Sequence, residues 1–225
     1  MNVLLVSATI NEVSPLLGNN VTNVNRGLNT KVSLINTLQV DLLITGVGSM
    51  ATTFHLTDVL NKMNYDLVLQ VGICGTFDRN IQIGEVVEII TETISQTGAE
   101  DDSKFISIFE MGLEDKNAFP FLNGKLINQN PLNLENVRHV ESITVETAHG
   151  NETTIARTLK QYNAAVENME GAALFYCCLM KNTRFAELRA ISNYIEKRNK
   201  ANWNIAFAVE NLNLFLSNFL KRIKA

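Results

Sequence analysis

The sequence predicts a three-layer α/β/α fold built on a mostly parallel, mixed central sheet. Three observations carry that prediction. Short runs rich in Val, Ile and Leu recur along the chain, and several lack polar alternation, as strands buried on both faces do. Stretches with helical spacing of apolar residues fall between them, and such alternation packs a sheet between helix layers. One stretch, MEGAALFYCCLM (169–180), is apolar nearly all round, which marks a helix inside the core.

In chain order, strands are expected at 3–6 (VLLV), 31–35 (KVSLI), 41–45 (DLLIT), 66–71 (DLVLQV), 85–90 (EVVEII), 142–146 (SITVE), 164–168 (AAVEN) and 185–192 (FAELRAIS). Between them, Leu56, Leu60 and Met63 space a helix over 50–63, and Ile155, Leu159 and Tyr162 space one over 154–162. The last helix has the clearest stripe, Ile205, Ala208, Leu212, Phe215, Phe219 and Ile223, with Glu210, Asn213, Lys221 and Arg222 on its polar face. From 98 to about 136 the rhythm breaks. Acids mixed with Phe105, Phe109, Phe119, Pro120 and Phe121 form no periodic element, and so long a loop is functional or lies at an interface. No boundary divides the 225 residues, so a single domain over 1–225 is expected.

Composition excludes several classes. The net charge is −4 with no lysine- or arginine-rich run, whereas nucleic-acid binding leaves a basic footprint. Cys74, Cys177 and Cys178 are odd in number and two are adjacent, which is no disulfide framework and points to a reduced, cytoplasmic protein. The opening apolar run is too short for a signal segment, and no stretch approaches the roughly 20 apolar residues of a membrane span.

Several motifs have two readings each. GVGSMA (46–51) has dinucleotide-fingerprint spacing, but Asp66 falls short of the expected acid position, and glycines at a strand-to-helix turn equally serve backbone geometry. No cofactor and no metal is expected. GICG (72–75) offers backbone N–H groups at a strand's C-terminal end, where open α/β sheets bind ligands. Cys74 with His149 suggests a nucleophile and base, yet cysteine is more often a small buried hydrophobe. Glu12 follows the first strand at the mouth of the sheet. Glu170 opens an apolar helix whose N-terminus stabilises an anion. Asn193 ends the strand that carries Arg189. Each alone fits a solvated charge or a turn residue as well as it fits a group that faces a ligand.

Glu12, VENMEGAA (166–173) and RAISN (189–193) together resemble the nucleoside phosphorylase/hydrolase superfamily, which includes methylthioadenosine/S-adenosylhomocysteine nucleosidase. GICGTF (72–77) resembles its purine-binding glycine turn and AHGNETT (148–154) its base-stacking loop. That likeness assigns Ile73, Cys74, Gly75, Thr153 and Thr154 to substrate binding. Within the superfamily GAEDDSKF (98–105), VETAHGNE (145–152), ENMEGAA (167–173) and RAISNYIEKRN (189–199) resemble the futalosine hydrolases of the alternative menaquinone pathway. The resemblance implies that Glu12 activates water, that Glu170 binds the ribose hydroxyls and supports a cationic transition state, and that Met169 packs on the sugar. It also implies a homodimer or higher homo-oligomer, with the aromatic segment 98–121 completing a neighbour's site.

Two departures refine the expectation. SATINEVSPLLGNN (7–20) contains no Arg or Lys, so phosphate lacks the cation that phosphorylases supply there and water is the expected nucleophile. Asn193 replaces the nucleosidase aspartate. An amide accepts from a protonated N7 while donating to an exocyclic oxygen, which favours hypoxanthine or guanine over adenine. The acyl-aromatic carboxylate of futalosine needs a cation, for which Arg198 is the candidate with Arg79 behind it; Trp203 and Phe105 would pack on its ring.

Overall fold

The first strand, β1 (Val3–Ser7), is buried at every position and lies between two parallel neighbours, β3 (Gln39–Ile44) and β4 (Leu67–Thr76). Neither of its faces meets water, which is why its sequence shows no alternation. β2 (Gly27–Ser33) closes that edge antiparallel to β3 and is the more exposed strand. The coordinates form a computed structural model that describes residues 1–34, 39–102 and 104–224; Ile35 of the expected strand 31–35 and the side chain of Ile223 lie outside the described parts.

On the other side of β4, β11 (Phe185–Tyr194) runs parallel to it and β5 (Val86–Ile94) antiparallel to β11. β9 (Arg138–Thr144) and β10 (Val166–Asn168) follow in parallel, and the short β8 (Leu126–Ile127) joins β5. β10 then pairs antiparallel with β4 through Val166 and Glu167, so this end of the sheet closes on itself. That closure tightens the sheet around the C-terminal half of β4, where the glycine turn lies.

Helices cover both faces. α2 (Ser49–Lys62) and α4 (Gly171–Met180) bury Leu56, Val59, Leu174 and Phe175 against one side. The rings of Phe175 and Phe185 meet edge-on at 4.7 Å, a contact that adds about 0.5–1.5 kcal/mol beyond area burial. α1 (Ser14–Leu17) and α5 (Ile205–Lys224) bury Leu16, Leu17, Ala208, Leu212 and Leu216 against the other. No helix among the described residues is long and apolar enough to cross a membrane.

Three local expectations change. Asn213, placed on the polar face of α5, is buried and works as a strut between α5 and the first loop. In α3 (Glu152–Gln161) Thr158 faces inward while Leu159 is half-exposed. The segment read as lacking periodic structure contains a hairpin, β6 (Gly98–Asp101) and β7 (Lys104–Ser107), against which α3 lies through Arg157–Glu100 and Gln161–Phe105 contacts. The aromatics beyond the hairpin pack on one another, Phe109 on Phe121 and Phe121 on Tyr176, whereas Phe119 is exposed.

Candidate active site

After β1 the chain turns through Thr9 into a single 3₁₀ turn, Ile10–Glu12. The Glu12 carboxylate folds back over that turn. Its Oε2 accepts from the Thr9 N–H at 2.9 Å, the Thr9 hydroxyl at 2.9 Å and the Ser7 hydroxyl at 3.2 Å, and its Oε1 accepts from the Ile73 N–H at 3.2 Å. The Asn213 amide donates to the Glu12 carbonyl at 2.7 Å and accepts from the Leu16 N–H at 3.2 Å, fixing the loop to α5. Burial raises the Glu12 pKa, Arg189 lowers it and Glu170 raises it, with burial the largest influence. A carboxylate held rigidly with a raised pKa suits a general base.

Glu170 stands at the N-cap position of α4 but does not cap that helix. The expected anion stabilisation comes from another helix. Glu170 Oε1 accepts from the N–H of Gly48 at 3.0 Å, at the N-terminus of α2, and Oε2 lies 3.2 Å from Arg189 Nη1. Gly48 reaches this geometry with φ +95°, a conformation that side chains disfavour, so the second glycine of GVGSMA turns its N–H to a carboxylate.

Arg189 is buried in β11 and is shared. Its Nε donates to Glu187 Oε1 at 2.8 Å and its Nη2 to Asn168 Oδ1 at 3.3 Å, beside the Glu170 pair. Burial works against its charge, but Glu187, Glu170 and Glu12 more than offset that and raise its pKa. Arg189 and Glu12 meet over Gly72, where an added Cβ would lie 2.5 Å from Nη1 and 2.7 Å from Glu12 Oε1.

Asn193 sits beyond an irregularity in the β11–β4 register, which brings it opposite Gly75. Bulges of this kind re-aim side chains next to sites. Asn193 Nδ2 donates to the Tyr194 carbonyl at 3.1 Å, and Oδ1 faces the Ser192 hydroxyl at 2.8 Å, whose single proton it shares with the Cys74 carbonyl at 3.1 Å, so the amide is fixed with Oδ1 as acceptor.

These groups border a cavity of about 380 Å³. Glu12, Met169 and Glu170 line it, as do Ile73, Cys74, Gly75 and Asn193. Along β4 the lining runs from Ile73, whose N–H reaches Glu12, to Gly75, which lies opposite Asn193. Among the described residues that line it there is no Lys or Arg.

Thr153, Thr154, Arg198 and Phe105 lie outside this lining. Thr153 and Thr154 form the first turn of α3, their N–H groups accepted by Asn151 at 2.9 and 3.3 Å; Ala148 and His149 from the same loop border the cavity instead. Arg198 stacks 5.0 Å above the Trp203 ring, and Trp203 lines the cavity, which puts the guanidinium one ring away. Arg79 is 2.6 Å from Glu196. Phe105 packs over Gly98 in the hairpin. The Cys74–His149 alternative fails on geometry: His149 engages Glu167 through Nδ1 at 2.5 Å and Thr158 through Nε2 at 2.9 Å, and burial raises the Cys74 pKa.

Sequence reasoning did not single out Ser7, Thr9, Asn213 or Glu187. A signal for Asn213 existed, since it falls four residues after Val209, on the face that α5 turns to the core.

Residues 2–225 match the family model of the phosphorylase superfamily. The futalosine hydrolase of Thermus thermophilus is 29% identical over 178 residues, 76% of either chain. Two solved structures share the fold. The futalosine hydrolase of Helicobacter pylori superposes with a TM-score of 0.74 at 13% identity, covering 98% of this chain and 97% of that one. A methylthioadenosine/S-adenosylhomocysteine nucleosidase from Colwellia psychrerythraea, in complex with adenine, gives 0.72 at 16% identity, covering 98% and 95%.

Proposed function

The chain belongs to the phosphorylase superfamily, and from that premise we propose that it is a purine nucleosidase that hydrolyses futalosine to hypoxanthine and dehypoxanthine futalosine. The observation that carries the reading is the cavity's lining: Glu12 and Glu170 held on either side of Arg189, the fixed Asn193 amide opposite Gly75, and no Lys or Arg among the described lining residues. Breaking the C1′–N9 bond leaves positive charge on the sugar and sends an electron pair to the base, which takes up a proton at N7 from water. Glu170 at the sugar end would bind the ribose hydroxyls and support that cation, with Met169 packed on the ring. Glu12 would take the proton of a water as its oxygen bonds to C1′, much as paired carboxylates divide glycoside hydrolysis.

Water is favoured over phosphate because Arg189, the cation behind the site, already faces Glu170 and Glu187. An incoming dianion would have to displace a carboxylate from it. Asn193 favours a 6-oxopurine by counting. An amide has two N–H donors and two acceptor lone pairs. Tyr194 takes one donor and Ser192 one lone pair, leaving one of each for O6 and a protonated N7. The Arg198–Trp203 stack would meet the carboxylate beyond the sugar. A cytoplasmic homodimer or higher homo-oligomer acting in menaquinone biosynthesis completes the reading.

The test is base release, by chromatography, from futalosine, inosine and methylthioadenosine without phosphate. Hypoxanthine from futalosine, abolished in Glu12→Gln, is expected. Adenine from methylthioadenosine would overturn the assignment of Asn193, and a requirement for phosphate would overturn hydrolysis.

A further inference from the structure

Two more carboxylates lie behind Arg189, on the side away from the cavity, and the proposed reaction assigns them nothing. Glu92 on β5 and Glu187 on β11 are both fully buried. Glu92 Oε1 accepts from Asn168 Nδ2 at 2.6 Å and Oε2 from the Thr144 hydroxyl at 2.7 Å. Glu187 Oε1 accepts from Arg189 Nε, while its Oε2 faces no N–H or hydroxyl among the described residues. What Oε2 faces is Glu92. A Cβ added at Gly171 would lie 2.1 Å from Glu92 Oε1 and 2.7 Å from Glu187 Oε2, so the two oxygens share one small space at the start of α4. The glycine leaves room for them.

Two carboxyl oxygens in such a space need a proton between them, because a pair of ionised groups would repel in a low-dielectric interior. The surrounding charge says the same. One cation, Arg189, already faces Glu12, Glu170 and Glu187. We infer that Glu92 and Glu187 hold a single shared proton, donated by Glu92 to Glu187 Oε2, and that this acid pair positions Arg189 and, through it, Glu170. The shared proton lets Glu187 stay a full partner for Arg189 Nε without adding another negative charge to the cluster. Arg189 then keeps its Nη1 on Glu170, which the hydrolase reading places at the sugar.

The groups that face the pair come from several elements. β11 contributes Arg189, β10 the neutral Asn168, β9 the hydroxyls of Ser142 and Thr144, and β4 the thiol of Cys74. Glu170 and Glu12 lie on the far side of Arg189. Burial first, then the charge of Glu187, pushes Glu92 up to about 8. The folded state therefore holds a proton that the unfolded chain releases near its ordinary carboxyl value. Stability from this proton is complete at acid pH and is lost as pH rises toward about 8.

Glu187→Gln is the informative variant. Its amide oxygen still accepts from Arg189 and its N–H donates to Glu92, which can now ionise, so the net charge is kept and the shared proton disappears. The expected wild-type results are a protonated-carboxyl band in difference infrared spectra, a kcat that declines above about pH 8, and a denaturation midpoint higher at pH 6 than at pH 8. In Glu187→Gln the band and the alkaline decline should both vanish, whereas Glu12→Gln should keep the band. Glu187→Ala, which strips Arg189 of its partner, should lower kcat between about 10- and 100-fold, as a misplaced reacting group does. A wild type without the band, or a Glu187→Gln enzyme with an unchanged alkaline decline, overturns the inference. If Glu187→Gln does not fold, the wild-type band and pH-dependent midpoint decide alone. Those two readouts need no substrate, so they distinguish failure of the shared proton from failure of the hydrolase reading on which its kinetic consequence rests.

Discussion

Replacing Gly72 with Ala adds one methyl group where Glu12 and Arg189, the two charged groups at the proposed sugar end, converge. The new Cβ would lie 2.5 Å from Arg189 Nη1 and 2.7 Å from Glu12 Oε1, against about 3.4 Å for ordinary contact. One or both groups must withdraw by several tenths of an ångström to nearly 1 Å. Neither does so freely: Glu12 is held through four hydrogen bonds to its carboxylate and Arg189 by Glu187, Asn168 and Glu170. Overpacking a rigid interior costs about 1–3 kcal/mol. In a chain of this size, ~2 kcal/mol lowers Tm by roughly 4–8 °C. A 1 Å displacement of a reacting group costs about 10²-fold in rate. The assay is kcat and KM for base release, beside a thermal melt. A kcat reduced about 10²-fold with little change in KM is expected, because base binding at the Asn193 end is untouched. The same substitution at Gly75 is the contrast: its Cβ would lie 2.9 Å from Ile195 Cγ1 and 3.1 Å from Asn193 Nδ2, so KM and base preference should move instead. A Gly72→Ala enzyme with normal kcat and Tm would refute the claim that Glu12 and Arg189 must meet over that glycine.

Asn193→Asp places a carboxylate oxygen against the Tyr194 carbonyl, where the wild-type Nδ2 donates, and removes the donor meant for O6. The ratio of kcat/KM for a 6-oxopurine over a 6-aminopurine nucleoside should fall by about 10²-fold or more, and an unchanged ratio would remove Asn193 from base recognition. Arg198→Ala leaves Trp203 in the cavity wall but takes away the stacked guanidinium. Loss of a hydrogen bond to a charged group, about 1.5–3 kcal/mol, should cost futalosine roughly 10- to 150-fold in kcat/KM and leave inosine unaffected; equal losses on both substrates would show that Arg198 serves the fold.

What the sequence made legible follows from where water is absent on both sides. β1, β4 and β11 read plainly as strands because every neighbour of theirs is protein, and α4 read as a core helix for the same reason. The hairpin β6–β7 did not, since its mixed acids and aromatics are partly exposed and carry no clear period. The β10–β4 closure is a pairing between residues 90 apart along the chain, which no local pattern announces. Motif resemblance found Glu12, Glu170 and Asn193 but not the atoms that hold them. In AHGNETT it could not tell that Asn151 caps α3 and turns Thr153 and Thr154 into helix residues, leaving Ala148 and His149 to border the cavity.

The buried charges are the instructive case. Glu187 and Arg189 stand two apart in a strand that is buried from Phe185 to Ser192, and alternate residues of a strand share a face. A glutamate and an arginine on one face of a dry strand are each too costly to bury alone, so they must find each other and further partners inside. That reasoning needs only the E-L-R spacing within an apolar run. It predicts an internal ion network behind the sheet's C-terminal end, before any family likeness is considered. Hydrophobic periodicity passes over such residues because it counts them as interruptions, whereas here they are the most completely buried polar groups in the strand and the link between the acid pair and the sugar end of the cavity.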